Sequence, residues 1–198
     1  MRKRKWVDSF IAEEKIYLID DGFKFDDIYL EIGMGMGDFI TESAVQNPNL
    51  TYIGIEKNAS CVARAIKKAQ EKELKNLRII FKDAANILEL FKPNTVKCIY
   101  LHFSDPWPKK AHHKRRLTYN TFLDKYYELL KNDGYIVFKT DNDDLYNDSF
   151  EYFENSKFNV AEKEYDYHSV PRNEPLTGYE AKFKDLGQPI HYAKLIKK

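Results

Sequence analysis

"LEIGMGMGD", residues 30–38, sets Gly33, Gly35 and Gly37 at alternate positions straight after an apolar run, with Glu31 two places ahead of the first glycine. An apolar run, a glycine-rich bend and a helical pattern read as strand, loop and helix. Glycines in such a bend admit positive φ and let the backbone approach a ligand closely. The same alternation then repeats along the chain. Ile28–Ile32 predicts a first strand and Asp38–Gln46 a helix closed by Pro48. Thr51–Ile55 predicts a second strand. Asn58 is the candidate N-cap of a helix with apolar positions at Val62, Ala65, Ile66 and Ala69. Leu77–Phe81 and Val96–Phe103 read as strands three and four, Thr118–Lys131 as a helix, Asp133-Gly134 as a turn and Tyr135–Lys139 as strand five. A helix over 143–155 and strands near Phe158–Tyr165 and Ile190–Ile196 complete the pattern, the last two forming an antiparallel end to the sheet.

Continuous apolar strands alternating with helices predict a parallel sheet covered on both faces. The fold class is α/β, Rossmann-like, mostly parallel with an antiparallel C-terminal strand. No internal repeat or linker interrupts the 198 residues, so the expectation is one domain with a basic tail at residues 1–10. No apolar run approaches the roughly 20 residues of a membrane span. Cys61 and Cys98 are isolated and sit in apolar surroundings, which fits reduced thiols in a cytoplasmic protein. The five histidines show no metal-ligand spacing. Net charge is only +1, yet "KKAHHKRR" at 109–116 packs five Lys/Arg and two His together, so charge is segregated rather than absent.

A parallel sheet binds ligands at the carboxyl ends of its strands. The spacing at 33–37 departs from the dinucleotide fingerprint, because the third glycine comes one residue early. Glu31 would repel a pyrophosphate. It would attract the sulfonium and ammonium of S-adenosylmethionine, by a few kcal/mol at roughly 4 Å and intermediate dielectric. Glu56, at the tip of "YIGIEKN", stands where a ribose hydroxyl acceptor is expected. Asp83 in "IIFKDAAN" is a candidate acceptor for an adenine amino group, with the Ala84 backbone beside it.

The fourth strand runs into "LHFSDPWPKKAHHKRRL", where Pro106 and Pro108 stiffen the turn between Asp105 and the basic run. A solvated loop is the bland reading of that run. Its place beside the cofactor loop favours contact with nucleic-acid phosphates.

These motifs, together with "FKTDN" and "PLTGYEAKF", resemble the bacterial tRNA (guanine-N7-)-methyltransferase family, in order, over roughly residues 28–183. The proline–tryptophan–basic segment is the most specific part. The resemblance implies a class I methyltransferase that uses S-adenosylmethionine, releases S-adenosylhomocysteine, needs no metal and methylates guanine 46 of the tRNA variable loop. It implies that Glu31, Gly33, Gly35, Gly37, Glu56, Asp83, Ala84 and Asp105 contact the cofactor, with Asp105 also catalytic. Lys109, Asp141, Thr177, Gly178, Tyr179 and Glu180 match substrate positions, and Ala111, His112, His113, Lys114, Arg115 and Arg116 an RNA-contacting segment. Gly178 departs from the polar residue expected there. Arg2–Lys5 are either a further RNA contact or a free tail. Asp105, Asp141 and Glu180 are candidate acceptors for the guanine Watson–Crick edge, and Trp107, Tyr179 and Phe183 candidate stacking residues. An amino methyltransferase, faintly suggested by "DPW", and a non-catalytic RNA-binding module stay open, as do a monomer and a homodimer.

Overall fold

A strand buried on both faces has to be apolar at nearly every position, and the first four runs meet that requirement. They form β1 (Ile28–Ile32), β2 (Thr51–Ile55), β3 (Leu77–Ile80) and β4 (Val96–His102). With β5 (Leu130–Thr140), β6 (Phe158–Glu164) and β7 (His191–Lys197) they make a seven-stranded sheet of order β3-β2-β1-β4-β5-β7-β6. The computed structural model describes Phe10, Tyr17, Leu18 and residues 26–198; the basic stretch Arg2–Lys5 lies outside these. Pairing is parallel from β3 through β5, and β7 is antiparallel to both its neighbours.

Among the described residues, α1 (Asp38–Gln46), α2 (Ala59–Glu71), α3 (Asn120–Leu129), α4 (Asp143–Glu154) and α5 (Gly178–Asp185) cover the sheet. Strand alternation sends side chains to opposite faces, and two of the buried clusters sit against the helices. Leu30, Ile32, Ile53, Leu101 and Phe138 pack with Leu123, Leu129 of α3 and Leu145, Phe153 of α4. Phe39 and Ile40 of α1 pack with Val62, Ala65 and Ile66 of α2 and with Ile79. Asn58 caps α2 as expected, its side chain accepting from the Ser60 and Cys61 amides. Cys98 is buried, which pushes its thiol up to about 12, whereas Cys61 is only partly buried.

Two boundaries differ from the sequence reading. The fourth strand ends at His102, because Phe103 turns into the left-handed region at φ 49°; Asp105 lies three residues past the strand. The fifth begins at Leu130, pairs once with Val96, bulges and resumes at Tyr135. Asp133-Gly134 lies inside that bulge, where a Cβ on Gly134 would come within 3.0 Å of the Lys131 carbonyl and 3.1 Å of that of Val96. No helix among the described residues is long and apolar enough to cross a membrane.

Candidate active site

The parallel order brings five loop starts to one rim. At the first, Gly33, Gly35 and Gly37 have φ of 77°, 56° and 76°, so alternate glycines match alternate left-handed turns of the backbone. The Gly33 amide donates to the Ile55 carbonyl at 2.8 Å, and the Gly37 amide to that of Met34 at 3.0 Å. Gly54 of β2 makes room beneath: a Cβ there would lie 2.2 Å from the Met34 sulfur. Above Gly35 an added Cβ would meet nothing within 4 Å, so the bend is an open cradle. Glu56 braces it, with Oε2 accepting from the Gly35 amide at 3.1 Å and Oε1 from the Lys57 and Asn58 amides at 2.8 Å. Asp83 caps the 3-10 turn Ala84–Glu89 by accepting from the Ala85 amide at 2.9 Å, and Lys57 lies 3.8 Å away. Asp83 is exposed and Ala84 buried.

Glu31 is only 2% exposed. Its Oε1 lies 3.4 Å from His102 Nδ1. Neither that nitrogen, nor His102 Nε2, nor Glu31 Oε2 has a hydrogen-bond partner among the described residues. Burial, then the charges of Asp38 and Glu56, hold the Glu31 carboxyl well above the usual range. Burial, then Lys139, holds His102 well below its own. Both shifts disfavour the charged forms and so work against an ion pair between the two groups. A buried carboxyl oxygen left unpartnered costs on the order of 1–3 kcal/mol, a cost that a cationic ligand beside it would remove.

After β4 the chain makes a tight turn. Phe103 and Trp107, with φ of 49° and 42°, bracket an exposed Asp105. A 3-10 turn, Lys110–Arg115, follows. Arg115 lies over the Trp107 ring, 4.9 Å from its centroid, and His112 meets the ring edge-on at 5.8 Å. Lys109, Lys110, Ala111, Lys114 and Arg115 are exposed, and His112 and His113 partly so. Arg116 departs from the expectation of an RNA contact. It is 1% exposed, and its guanidinium is occupied by Pro106, Asp148 and Tyr152.

Past β5, Asp141 is exposed. Thr177 is the N-cap of α5: its hydroxyl accepts from the Glu180 amide at 2.9 Å, and the Glu180 side chain reaches back to the Thr177 amide, a capping box. Glu180 is fully buried, and its Oε1 accepts from Lys139 Nζ at 3.1 Å. This corrects the expectation of a carboxylate free to receive a base. Lys139 also lies 3.5 Å from Glu174 and 3.9 Å from the centroid of the Tyr167 ring. Gly178 has a packing reason, since a Cβ there would sit 2.9 Å from Asp38 Oδ2. Tyr179 is 63% exposed and stacks on Phe103 and Phe183, with centroids 6.2 and 6.3 Å away.

Residues 26–193 match a family model described as a putative methyltransferase. A tRNA (guanine-N(7)-)-methyltransferase from Lachnoclostridium phytofermentans is 48% identical over 166 residues, covering 83% of this chain and 78% of the relative. One from Bacillus subtilis is 39% identical over 207 residues, covering 98% and 97%. This chain belongs to the bacterial tRNA (guanine-N7-)-methyltransferase family. In fold it also resembles the solved structure of an antibiotic-related methyltransferase, with TM-score 0.62 at 18% identity, covering 98% of this chain and 94% of that one.

On the family's fold, the motifs that carried the resemblance converge on the carboxyl rim of the sheet. Sequence reasoning missed His102, Lys139 and Phe103. Lys139 carried a signal: a lysine inside the apolar strand "YIVFKT" has to find a buried partner. "TGYE" at 177–180 likewise has the spacing of a capping box. Among the described residues no cluster of His, Cys, Asp and Glu could hold a metal ion.

Proposed function

We propose that this protein is a cytoplasmic, single-domain enzyme that methylates N7 of guanine 46 in the tRNA variable loop, with S-adenosylmethionine as donor. The relatives' names support guanine N7 in tRNA. The observation that carries the reading is the rim itself. Glu31, Glu56, Asp83, Asp105 and Asp141 follow or end five successive parallel strands around the glycine cradle, with an exposed basic loop alongside. When bound, S-adenosylmethionine supplies an electrophilic methyl group on a sulfonium. The residues fit such a group: Glu31 offers an unpartnered buried oxygen to a cation, and at Gly35 the bend leaves open space for close approach of the backbone. Glu56, Asp83 and the Ala84 backbone would hold its ribose and adenine.

Guanine N7 has a lone pair and no proton, so its methylation needs no general base. Positive charge develops on the purine instead. Asp105 and Asp141, both exposed, are the acceptors for N1–H and N2–H, and those hydrogen bonds strengthen as the ring becomes cationic. Tyr179, stacked on Phe103, offers a face to an exposed base, as does Trp107. Lys109, Lys110, Lys114 and Arg115 grip phosphates without reading sequence.

The test is transfer of labelled methyl to tRNA transcripts with and without guanine 46, followed by nucleoside mass spectrometry for cationic m7G. Equal labelling of both transcripts, or a neutral methylamine product, overturns the reading. Asp105→Ala should reduce turnover by roughly a hundredfold or more while cofactor affinity falls only moderately. Activity within a few fold of wild type removes Asp105 from the chemistry.

A further inference from the structure

The basic run does two jobs with residues that look alike in sequence. Lys109, Lys110, Lys114 and Arg115 face solvent. Arg116 points inward. Its Nε donates to the Pro106 carbonyl at 2.7 Å, and its Nη1 donates to Asp148 Oδ2 at 2.6 Å and to the Tyr152 hydroxyl at 3.2 Å. Pro106 immediately follows Asp105. Asp148 and Tyr152 sit one turn apart on α4, so a single guanidinium joins the Asp105 turn to a helix packed in the core. The neighbouring contacts reinforce that seam. His113 Nδ1 lies 3.2 Å from the Tyr152 hydroxyl, and the Thr118 and Ser149 hydroxyls lie 2.8 Å apart in a buried position.

The turn needs holding. Phe103 and Trp107 both have left-handed backbone, which costs non-glycine residues on the order of 1–3 kcal/mol each and persists only where surrounding structure enforces it. A bidentate-capable, permanently charged fork is suited to that task, and a lysine is not its equivalent.

We propose that Arg116 is a positioning residue for methyl transfer: a latch that fixes the Asp105 turn against α4, not a contact for RNA. This rests on the role assigned to Asp105 above. Removing the latch therefore lowers turnover, because misplacing a catalytic group by about 1 Å costs on the order of a hundredfold. It leaves the ionic grip on tRNA intact, because Arg116 presents no charge to solvent.

The experiment compares Arg116→Lys, Asp148→Asn and Tyr152→Phe with Lys110→Gln/Lys114→Gln, which leaves Arg115 over the Trp107 ring. Three quantities are read: kcat at saturating tRNA, the salt dependence of the tRNA KM, and acrylamide quenching of Trp107 in a Trp6→Phe background, where it is the sole tryptophan. A latch predicts that Arg116→Lys lowers kcat roughly ten- to a hundredfold, with Asp148→Asn and Tyr152→Phe weaker in the same direction. The salt slope stays at the wild-type value and Trp107 becomes more accessible to quencher. The surface pair predicts a raised KM and a shallower slope with Trp107 quenching at the wild-type value. Arg116→Lys with wild-type kcat and quenching overturns the latch, as does a flattened salt slope with kcat preserved. If the wild-type protein transfers no methyl to tRNA, the functional reading falls, while Trp107 quenching still decides whether Arg116 holds the turn.

Discussion

Replacing Lys139 by Met tests whether the α5 end of the site is held by a buried ion pair. Lys139 and Glu180 are both fully buried and 3.1 Å apart, on β5 and in the first turn of α5. Methionine keeps the aliphatic volume, so little cavity forms, but the Glu180 carboxylate is left with the Thr177 amide at 3.4 Å and His168 Nε2 at 3.3 Å in place of the ammonium. Breaking a buried pair from one side costs about 3–5 kcal/mol, and loss of the cation over Tyr167 adds about 0.5–2. Release of Glu174 contributes almost nothing, because its side chain is 58% exposed. The expected loss is therefore about 3.5–7 kcal/mol, read as a shift in the urea midpoint at constant m. Glu180→Gln should lose less, about 2–3 kcal/mol, because Glu174 remains beside Lys139. The double variant Lys139→Met/Glu180→Leu should return to within about 1 kcal/mol of wild type, since apolar replacement of a buried pair is near neutral. A single-variant loss under about 1 kcal/mol, or a double variant as unstable as Lys139→Met, would refute the pair as the element that seats α5.

Three further outcomes follow from the same geometry. Gly178→Ala should cost less than about 1 kcal/mol, because the Asp38 Oδ2 that its Cβ would meet at 2.9 Å ends a partly exposed side chain that can swing aside; a larger loss that persists in an Asp38→Ala background assigns the glycine another role. Glu31 has a folded pKa above its unfolded 4.5, so the folded state holds the extra proton and stability falls as pH rises through and beyond that value; Glu31→Gln should remove this slope. Ionising Glu31 to receive a cation expels the proton that its raised pKa favours, so titration of S-adenosylmethionine in buffers of different ionisation heat should show proton release in wild type and none in Glu31→Gln; equal release in both would exclude Glu31. Neutralising Lys114 and Arg115 should raise the tRNA KM and lower the log–log salt slope by about one for each phosphate they no longer neutralise, and an unchanged slope would take the loop out of the RNA interface.

Most of the architecture was legible because it rests on local periodicity. Buried parallel strands are apolar throughout, so their runs stand out, and Asn58 announced its helix by its chemistry. What was not legible depends on partners distant in sequence. Nothing in "KKAHHKRR" distinguishes Arg116 from Arg115; the difference lies in Asp148 and Tyr152, more than 30 residues on. Glu180 read as a free acid because its partner sits 41 positions earlier. Gly178 read as a departure because the Asp38 side chain it accommodates belongs to another motif. Strand four stops one residue short of its apolar run, at His102, because a left-handed Phe103 leaves no mark in composition.

The carboxylates gathered at the rim differ in kind, and the differences sort them by task. Glu31 lies deep, with its carboxyl pKa raised by burial and one oxygen without a partner among the described residues, which on the proposed reading serves one buried cation. Glu56 commits its oxygens to three backbone amides, so it shapes the cradle while keeping lone pairs for hydroxyl donors. Asp83 caps a turn at the surface. Asp105 and Asp141 alone are both exposed and past the ends of the two central strands β4 and β5, nearest the aromatic face of Tyr179 and Phe103 in chain order and the basic loop. A carboxylate that stabilises charge only as it develops must be fixed in place beforehand, or reorganisation consumes the gain. The strained turn about Asp105 and the guanidinium that anchors its next residue supply that fixity, so on the proposed reading the buried arginine of the basic run bears on rate and its exposed neighbours on binding.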